Sequence, residues 1–149
     1  MIWKPHVTVA AVIEREGRFL LVEERIDGRT VFNQPAGHLE AGESLVDAVR
    51  REVLEETMRS FEPRGLVGVY QYDMPEKNRT YLRFCFSGDA GEADASRALD
   101  REILATHWLT LDEIEARRDA LRSPMVLQCI QDHRAGEPLP LALLHRLHP

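Results

Sequence analysis

Short apolar stretches separated by turns too brief for a crossover run through the chain, and they flank one uninterrupted helical segment. Residues 7–13 are apolar and rich in β-branched side chains. Glu16-Gly17 follows, then residues 18–24 with the run Phe19-Leu20-Leu21-Val22, so the two stretches read as a hairpin. Asp27-Gly28 marks the next turn, residues 30–33 a brief strand, and Pro35-Ala36-Gly37 the opening of a loop that includes Gly42. Residues 45–59 contain neither Gly nor Pro and follow Ser44, which forms an acidic variant of the capping box with Asp47. Residues 66–72 and 80–86 read as a second strand pair about the turn at 73–78, residues 88–100 as a solvated loop and 105–109 as a last strand. Thr110 with Glu113 caps a short helix, and Ser123-Pro124 starts another that ends near Gly136. Consecutive strands joined by short turns cannot be parallel, so a mixed α/β (α+β) domain with a largely antiparallel or mixed sheet is expected.

Composition narrows the function. With 149 residues, 44% of them hydrophobic, the chain suits one domain over 1–149 that needs no disulfide framework. Cys85, in an apolar run, and Cys129, in the last helix, read as buried thiols of a reducing compartment. A net charge of -6, from 25 acids against 19 bases, argues against long nucleic acid as a partner. No apolar run approaches the roughly 20 residues of a membrane span, so a cytoplasmic protein, monomer or homodimer, is expected.

The helix after Ser44 holds the chemistry. At about 100° per residue, Glu52, Glu55 and Glu56 share one face, beside an apolar stripe of Leu45, Val49 and Val53. Like charges three and four residues apart cost a few tenths of a kcal/mol each, so this face asks for a cation. Oxygen ligands suit hard divalent ions such as Mg2+ or Mn2+. Arg51 has Asp47 and Glu55 as candidate partners along the helix.

The stretch 37–59 resembles the Nudix hydrolase box, G-x5-E-x7-R-E-U-x-E-E-x-G-U with U a bulky apolar residue, at Gly37, Glu43, Arg51, Glu52, Val53, Glu55 and Glu56. Met58 stands where the family has glycine, and Arg59 where it has an apolar residue. Met in a left-handed conformation costs roughly 1–2 kcal/mol, so an altered or extended helix end is expected. The resemblance implies a Nudix fold: a mixed β-sheet packed between helices, with the Nudix loop-helix-loop. It also implies that Glu52, Glu55 and Glu56 bind Mg2+, with the Ala36 carbonyl as a further ligand, and that Glu52 serves as base. Arg51 and Glu43 would orient it. In the family an acid outside the box sometimes supplies the base, and the candidates here are Glu102 and, behind it, Asp100.

Matches at 4–10, 33–41, 82–84 and 121–124 extend the resemblance to the NudJ-type phosphatase branch. That likeness implies hydrolysis of nucleoside tri- and diphosphates and of hydroxymethylpyrimidine and thiamine pyrophosphates, with release of orthophosphate. Arg83, Lys4, Arg79 and Arg25 are candidate phosphate contacts, since a charge-assisted pair to phosphate is strong. Arg83, flanked by Leu82 and Phe84, should point away from their face. Tyr70, Tyr72 and Phe32 are candidates for stacking on a base. No zinc spacing or G-x-S-x-G elbow occurs, which favours metal-activated water over covalent catalysis. Two alternatives stay open. Pro75 lies at a distance from the box that resembles ADP-ribose hydrolases, within a wider class that includes damaged-nucleotide pyrophosphatases, and Met58 is the one hint of a catalytically weak nucleotide-binding module.

Overall fold

A computed structural model describes all 149 residues. The chain runs β1 (His6–Val12), β2 (Glu14–Arg15), β3 (Arg18–Ile26), β4 (Arg29–Asn33), β5 (Ala36–His38), α1 (Leu45–Thr57), β6 (Phe61–Met74), β7 (Arg79–Ala90), β8 (Ile103–Thr110), α2 (Leu111–Glu115) and α3 (Pro124–Ala135). The strands divide into two four-stranded sheets, one ordered β5-β1-β7-β6 and the other β2-β3-β4 with β8 also on β3. Sequential neighbours pair antiparallel, as short turns require, while β1 and β7, far apart in sequence, pair in parallel. No helix is long and apolar enough to cross a membrane.

The central strands are apolar on both faces because each face has its own core. Ala10 and Val12 of β1, Phe19 and Leu21 of β3 and Cys85 of β7 pack with Ile114, Val126 and Ile130 from α2 and α3. Val9, Ala11, Ile13, Leu20 and Phe86 turn the other way, onto Ala48 and Val49 and Val53 of α1. Both cysteines are buried and free. Arg83 does point away from Leu82 and Phe84, onto the face it shares with Cys85.

Four local expectations need correction. Residues 36–38 form strand β5 on β1 instead of open loop, because Ala11 N–H reaches the Pro35 carbonyl and Leu39 N–H the Val7 carbonyl, both at 3.0 Å. The helix is neither altered nor extended at Met58. It stops at Thr57, with Met58 itself left-handed (φ 62°, ψ 20°) and its N–H on the Leu54 carbonyl. The strain is held by the segment that follows β7, which is no free solvated loop: Asp94 N–H meets the Met58 carbonyl at 2.8 Å, Asp100 N–H meets the Glu55 carbonyl at 3.0 Å, and Arg59 donates to the Gly91 carbonyl. These bonds satisfy carbonyls that a helix end otherwise leaves bare. Finally, Asp47 pairs with Arg50, not with Arg51.

Candidate active site

The site is built by setting one helix against one strand edge. The apolar stripe of α1 seats the helix on its core, and this turns Glu52 and Glu56 toward β5. In β5, residues bonded to β1 alternate with residues whose backbone groups face outward. Ala36 and His38 belong to the second set. Ala36 N–H donates to Glu56 Oε1 at 2.8 Å, and the His38 carbonyl accepts from Arg51 Nη2 at 3.0 Å. Since N–H and C=O of one strand residue point the same way, the Ala36 carbonyl faces the helix too. Between them lies Gly37, where a Cβ would stand 2.1 Å from the carboxyl carbon of Glu52. Any side chain at residue 37 would displace the Glu52 carboxyl from its place.

Arg51 organises the acids. Its Nε and Nη2 grip both oxygens of Glu43 at 3.0 and 2.8 Å, while Nη1 reaches Glu52 Oε1 at 2.7 Å and Glu55 Oε2 at 3.2 Å. The hydrogen bonds from Arg51 hold the Glu43 carboxyl below its ordinary value, and Glu43 raises Arg51 in return. Glu52 and Glu56 move the opposite way. Burial, only partly offset by Arg51, pushes the Glu52 carboxyl up to about 7, and Glu55 and Asp100 add to it. Burial lifts Glu56 further, to about 9, against the bond from Ala36 and with help from Glu24, Glu52 and Asp100. As they lie, no three acidic, histidine or cysteine side chains form a closed metal cage. Glu52 and Glu55 turn to Arg51 and Glu56 to Ala36, so the candidate oxygen ligands line one wall without meeting at a point.

Of the two outlying acids, Asp100 is bonded through its backbone to the last turn of α1, and its charge reaches both Glu52 and Glu56. Glu102 is exposed and its charge reaches Glu24. Arg83 is only 4% exposed, with Nη1 on Gln34 Oε1 at 2.8 Å, Nη2 on Asn33 Oδ1 at 3.1 Å and Nε without a partner. Lys4 and Arg25 are exposed and lie outside this network, and Arg79 is exposed beside the Tyr81 hydroxyl. Tyr70 donates to Asp132 at 2.7 Å and packs on the α3 core; Phe32 is wedged between His107 and Arg117. Tyr72 is half-buried opposite Tyr81.

Sequence reasoning missed Glu24, Arg122 and a trio of rings. Glu24 is 5% exposed and accepts from Arg122 at 2.8 Å, yet burial outweighs that pairing and lifts its carboxyl. The signal was present: Glu24 shares a strand face with Leu20 and Val22, where an acid has no reason to be unless it has a role or a partner. His6 lies 5.7 Å from the His38 ring and 5.3 Å from the Tyr81 ring, a contact that needs β1, β5 and β7 to be side by side and leaves no trace in sequence spacing. A concavity of about 380 Å³ lies elsewhere, among Glu14, Arg64, Asp89 and His133, where Arg64 pairs with Asp89 and His133 with Glu14.

Comparison with known proteins agrees with this geometry. The NUDIX domain model matches residues 4–129. Phosphatase NudJ of Escherichia coli (strain K12) and that of Shigella boydii serotype 4 (strain Sb227) are each 41% identical over 142 residues, covering 95% of this chain and 92% of theirs. Among solved structures, a NUDIX hydrolase from Nitrosomonas europaea superposes with a TM-score of 0.93 at 49% identity, covering 97% of this chain and 98% of that one. The E. coli ORF135 protein superposes at 0.71 with 25% identity, covering 91% and 94%. From the box on α1, the strand edge against it and these matches over nearly its whole length, the chain belongs to the Nudix hydrolase family.

Proposed function

We propose that this chain is a Mg2+-dependent phosphatase acting in the cytoplasm on nucleoside tri- and diphosphates and on hydroxymethylpyrimidine and thiamine pyrophosphates, with Mn2+ as a substitute ion. The observation that carries the reading is the state of the box acids: two buried carboxyls whose affinity for protons is raised by burial, with a third on the same helix and a strand carbonyl facing them. Such an oxygen-only donor set suits a hard divalent cation, which would be held by Glu52, Glu55, Glu56 and the carbonyl of Ala36. When bound, the ion neutralises phosphate oxygens and lowers the pKa of a coordinated water.

The chain's own groups do the rest. Arg51 occupies Oε1 of Glu52, which leaves Oε2 free to take the proton of the attacking water. Glu43, locked two-pronged on Arg51, keeps that orientation, and Gly37 leaves the carboxyl its space. Asp100 and Glu102 are the alternative proton acceptors. Arg83, whose direct hydrogen-bond partners are neutral amides, has positive charge to offer a phosphate, with Arg79 and Lys4 as exposed further candidates. The rings of His6, His38 and Tyr81, grouped where β1, β5 and β7 meet, offer the organic group a surface that Tyr70 and Phe32, packed on their own neighbours, do not.

Neither alternative gains a specific observation. Pro75 opens the 3-10 turn Pro75–Lys77 at the tip of the β6–β7 hairpin, where its fixed φ accounts for it without a ligand. Met58 leaves the helix exit intact, so it gives no reason for lost catalysis. The likeness to proteins named phosphatase supports orthophosphate as product. An orthophosphate assay with MgCl2 over nucleoside tri- and diphosphates, thiamine pyrophosphate and ADP-ribose tests it, with EDTA and Glu55→Gln as controls. Metal-dependent release without added pyrophosphatase is expected. Signal only when pyrophosphatase is added, or no dependence on Glu55, overturns the reading.

A further inference from the structure

We infer that the C-terminal tail, through Arg146, is a strap that positions the loop entering the box helix. The family model stops at residue 129, whereas the phosphatase relatives align over 142 residues, so the likeness to them runs into this tail. The tail, largely exposed, is tied down at a few points. Leu66 and Leu139 exchange two backbone hydrogen bonds at 2.8 Å, which covers part of the open edge of β6. Pro138 lies where a side chain on Gly65 would be, 2.5 Å from its Cβ. Beyond that, Leu141 and Leu144 pack onto the same core as Ala48 and Val49 of α1. The path ends at the box loop, where Arg146 Nη2 donates to the Gly42 carbonyl at 2.9 Å.

That carbonyl is not an arbitrary anchor. Gly42 holds a left-handed turn (φ 84°), and its C=O belongs to the same rigid peptide plane as the N–H of Glu43. Fixing it fixes the direction from which Glu43 leaves the loop. Glu43 in turn holds Arg51 by two bonds, and Arg51 holds Glu52 and Glu55. Within the loop itself the only closures are the Glu43 carboxyl on Glu40 N–H and a long Glu43 N–H bond of 3.4 Å to the Glu40 carbonyl. From outside, Arg51 ties the loop at the His38 carbonyl, Glu40 and Glu43, and Arg146 adds the one tie at Gly42. Arg146 touches no reacting group, so it is a positioning residue, and its contribution to rate rests on the function proposed above while its hold on the loop does not.

Deleting the tail would bare the β6 edge and the α1 core, so point variants are the cleaner test: Arg146→Ala, and Arg146→Lys as the conservative partner. Two readouts are taken on the full chain. Hydrogen-exchange mass spectrometry of the metal-free protein reports the peptide over residues 38–46; steady-state kinetics with a nucleoside diphosphate and Mg2+ reports kcat and KM separately. The strap predicts faster exchange confined to that peptide in Arg146→Ala. It also predicts a fall in kcat of about tenfold with KM unchanged, as a slightly misplaced catalytic group gives, and recovery of both in Arg146→Lys. Unchanged exchange overturns it, as does faster exchange spread equally over α1 and β6, which marks general loosening. If wild-type protein turns over no substrate, the proposed function fails while the exchange comparison still decides the strap.

Discussion

Two arginines serve this molecule in opposite ways. Arg51, half-buried, is surrounded by carboxylates: Glu43 takes two of its nitrogens, and Glu52, Glu55 and Glu40 share a third. Arg83, which is buried, donates to the amide oxygens of Asn33 and Gln34, keeps Nε unpartnered and has Glu24 within reach of its charge but not in contact. The first guanidinium is used up inside the protein and aligns acids. The second carries positive charge that no carboxylate contacts, which is a costly arrangement unless an anion arrives. Under the proposed function, one cluster would receive a cation and the other an anion, the two charges that a metal-bound phosphate brings.

The acid side should be the more sensitive. Glu52→Gln keeps the shape but removes an ionisable oxygen, and a loss in kcat of about 10³-fold is expected with the fold retained, read by phosphate release and thermal melting. Full turnover in that variant would dissolve the distinction between the two clusters. Next comes Gly37→Ala, whose methyl must displace the Glu52 carboxyl. A kcat loss of about 10²-fold follows from misplacing a catalytic group by an ångström or so.

How much of this was legible beforehand differs between the clusters. Glu43, Arg51, Glu52, Glu55 and Glu56 lie close together in sequence at fixed spacing, and helical geometry alone puts the last three on one face. The Arg83 cluster joins β7 to residues 33 and 34, and Glu24 to Arg122 spans about twice that gap. The first pairing exists only once β1 pairs with both β5 and β7, the second only once residues 121 and 122 bond to Phe32 of β4. Alternation did place Arg83 on the correct face, because a strand has a period of two whatever surrounds it. The error at Met58 had the same origin: the local cost of a left-handed Met is real, but the segment 91–100 that offsets it arrives from the far end of β7.

On the anion side, Arg83→Ala should raise KM by about tenfold, through one lost charge-assisted contact, and change kcat less. The side-chain oxygens of Asn33 and Gln34 would lose their partner, at about 1–3 kcal/mol in stability by denaturant titration. An unaltered KM would reduce Arg83 to a structural tie. Stability against pH separates the clusters in another way. Glu52 and Glu56 titrate near 7 and 9 in the folded chain against an ordinary value of 4.5. The native state therefore binds more protons than the unfolded chain across that window, and metal-free stability should fall as pH rises from about 4.5 to 9. Glu56→Gln should flatten the slope, whereas Arg83→Met should shift the curve without changing its form. The smallest effect is expected at Met58→Gly, which relieves a left-handed side chain for a gain of about 1 kcal/mol in thermal stability with activity retained.

The most direct measurement is Mn2+ binding, followed by water-proton relaxation, to wild-type protein and to Glu56→Gln at pH 6 and pH 8.5. If burial is what raises these carboxyls, a bound ion must displace their protons. Affinity in the wild type should then rise steeply with pH, and Glu56→Gln should bind more weakly at both values with a shallower pH dependence, the part left to Glu52. Binding that is equally tight at pH 6 and 8.5, or that survives Glu56→Gln unchanged, would contradict the assignment of the metal to Glu52, Glu55 and Glu56.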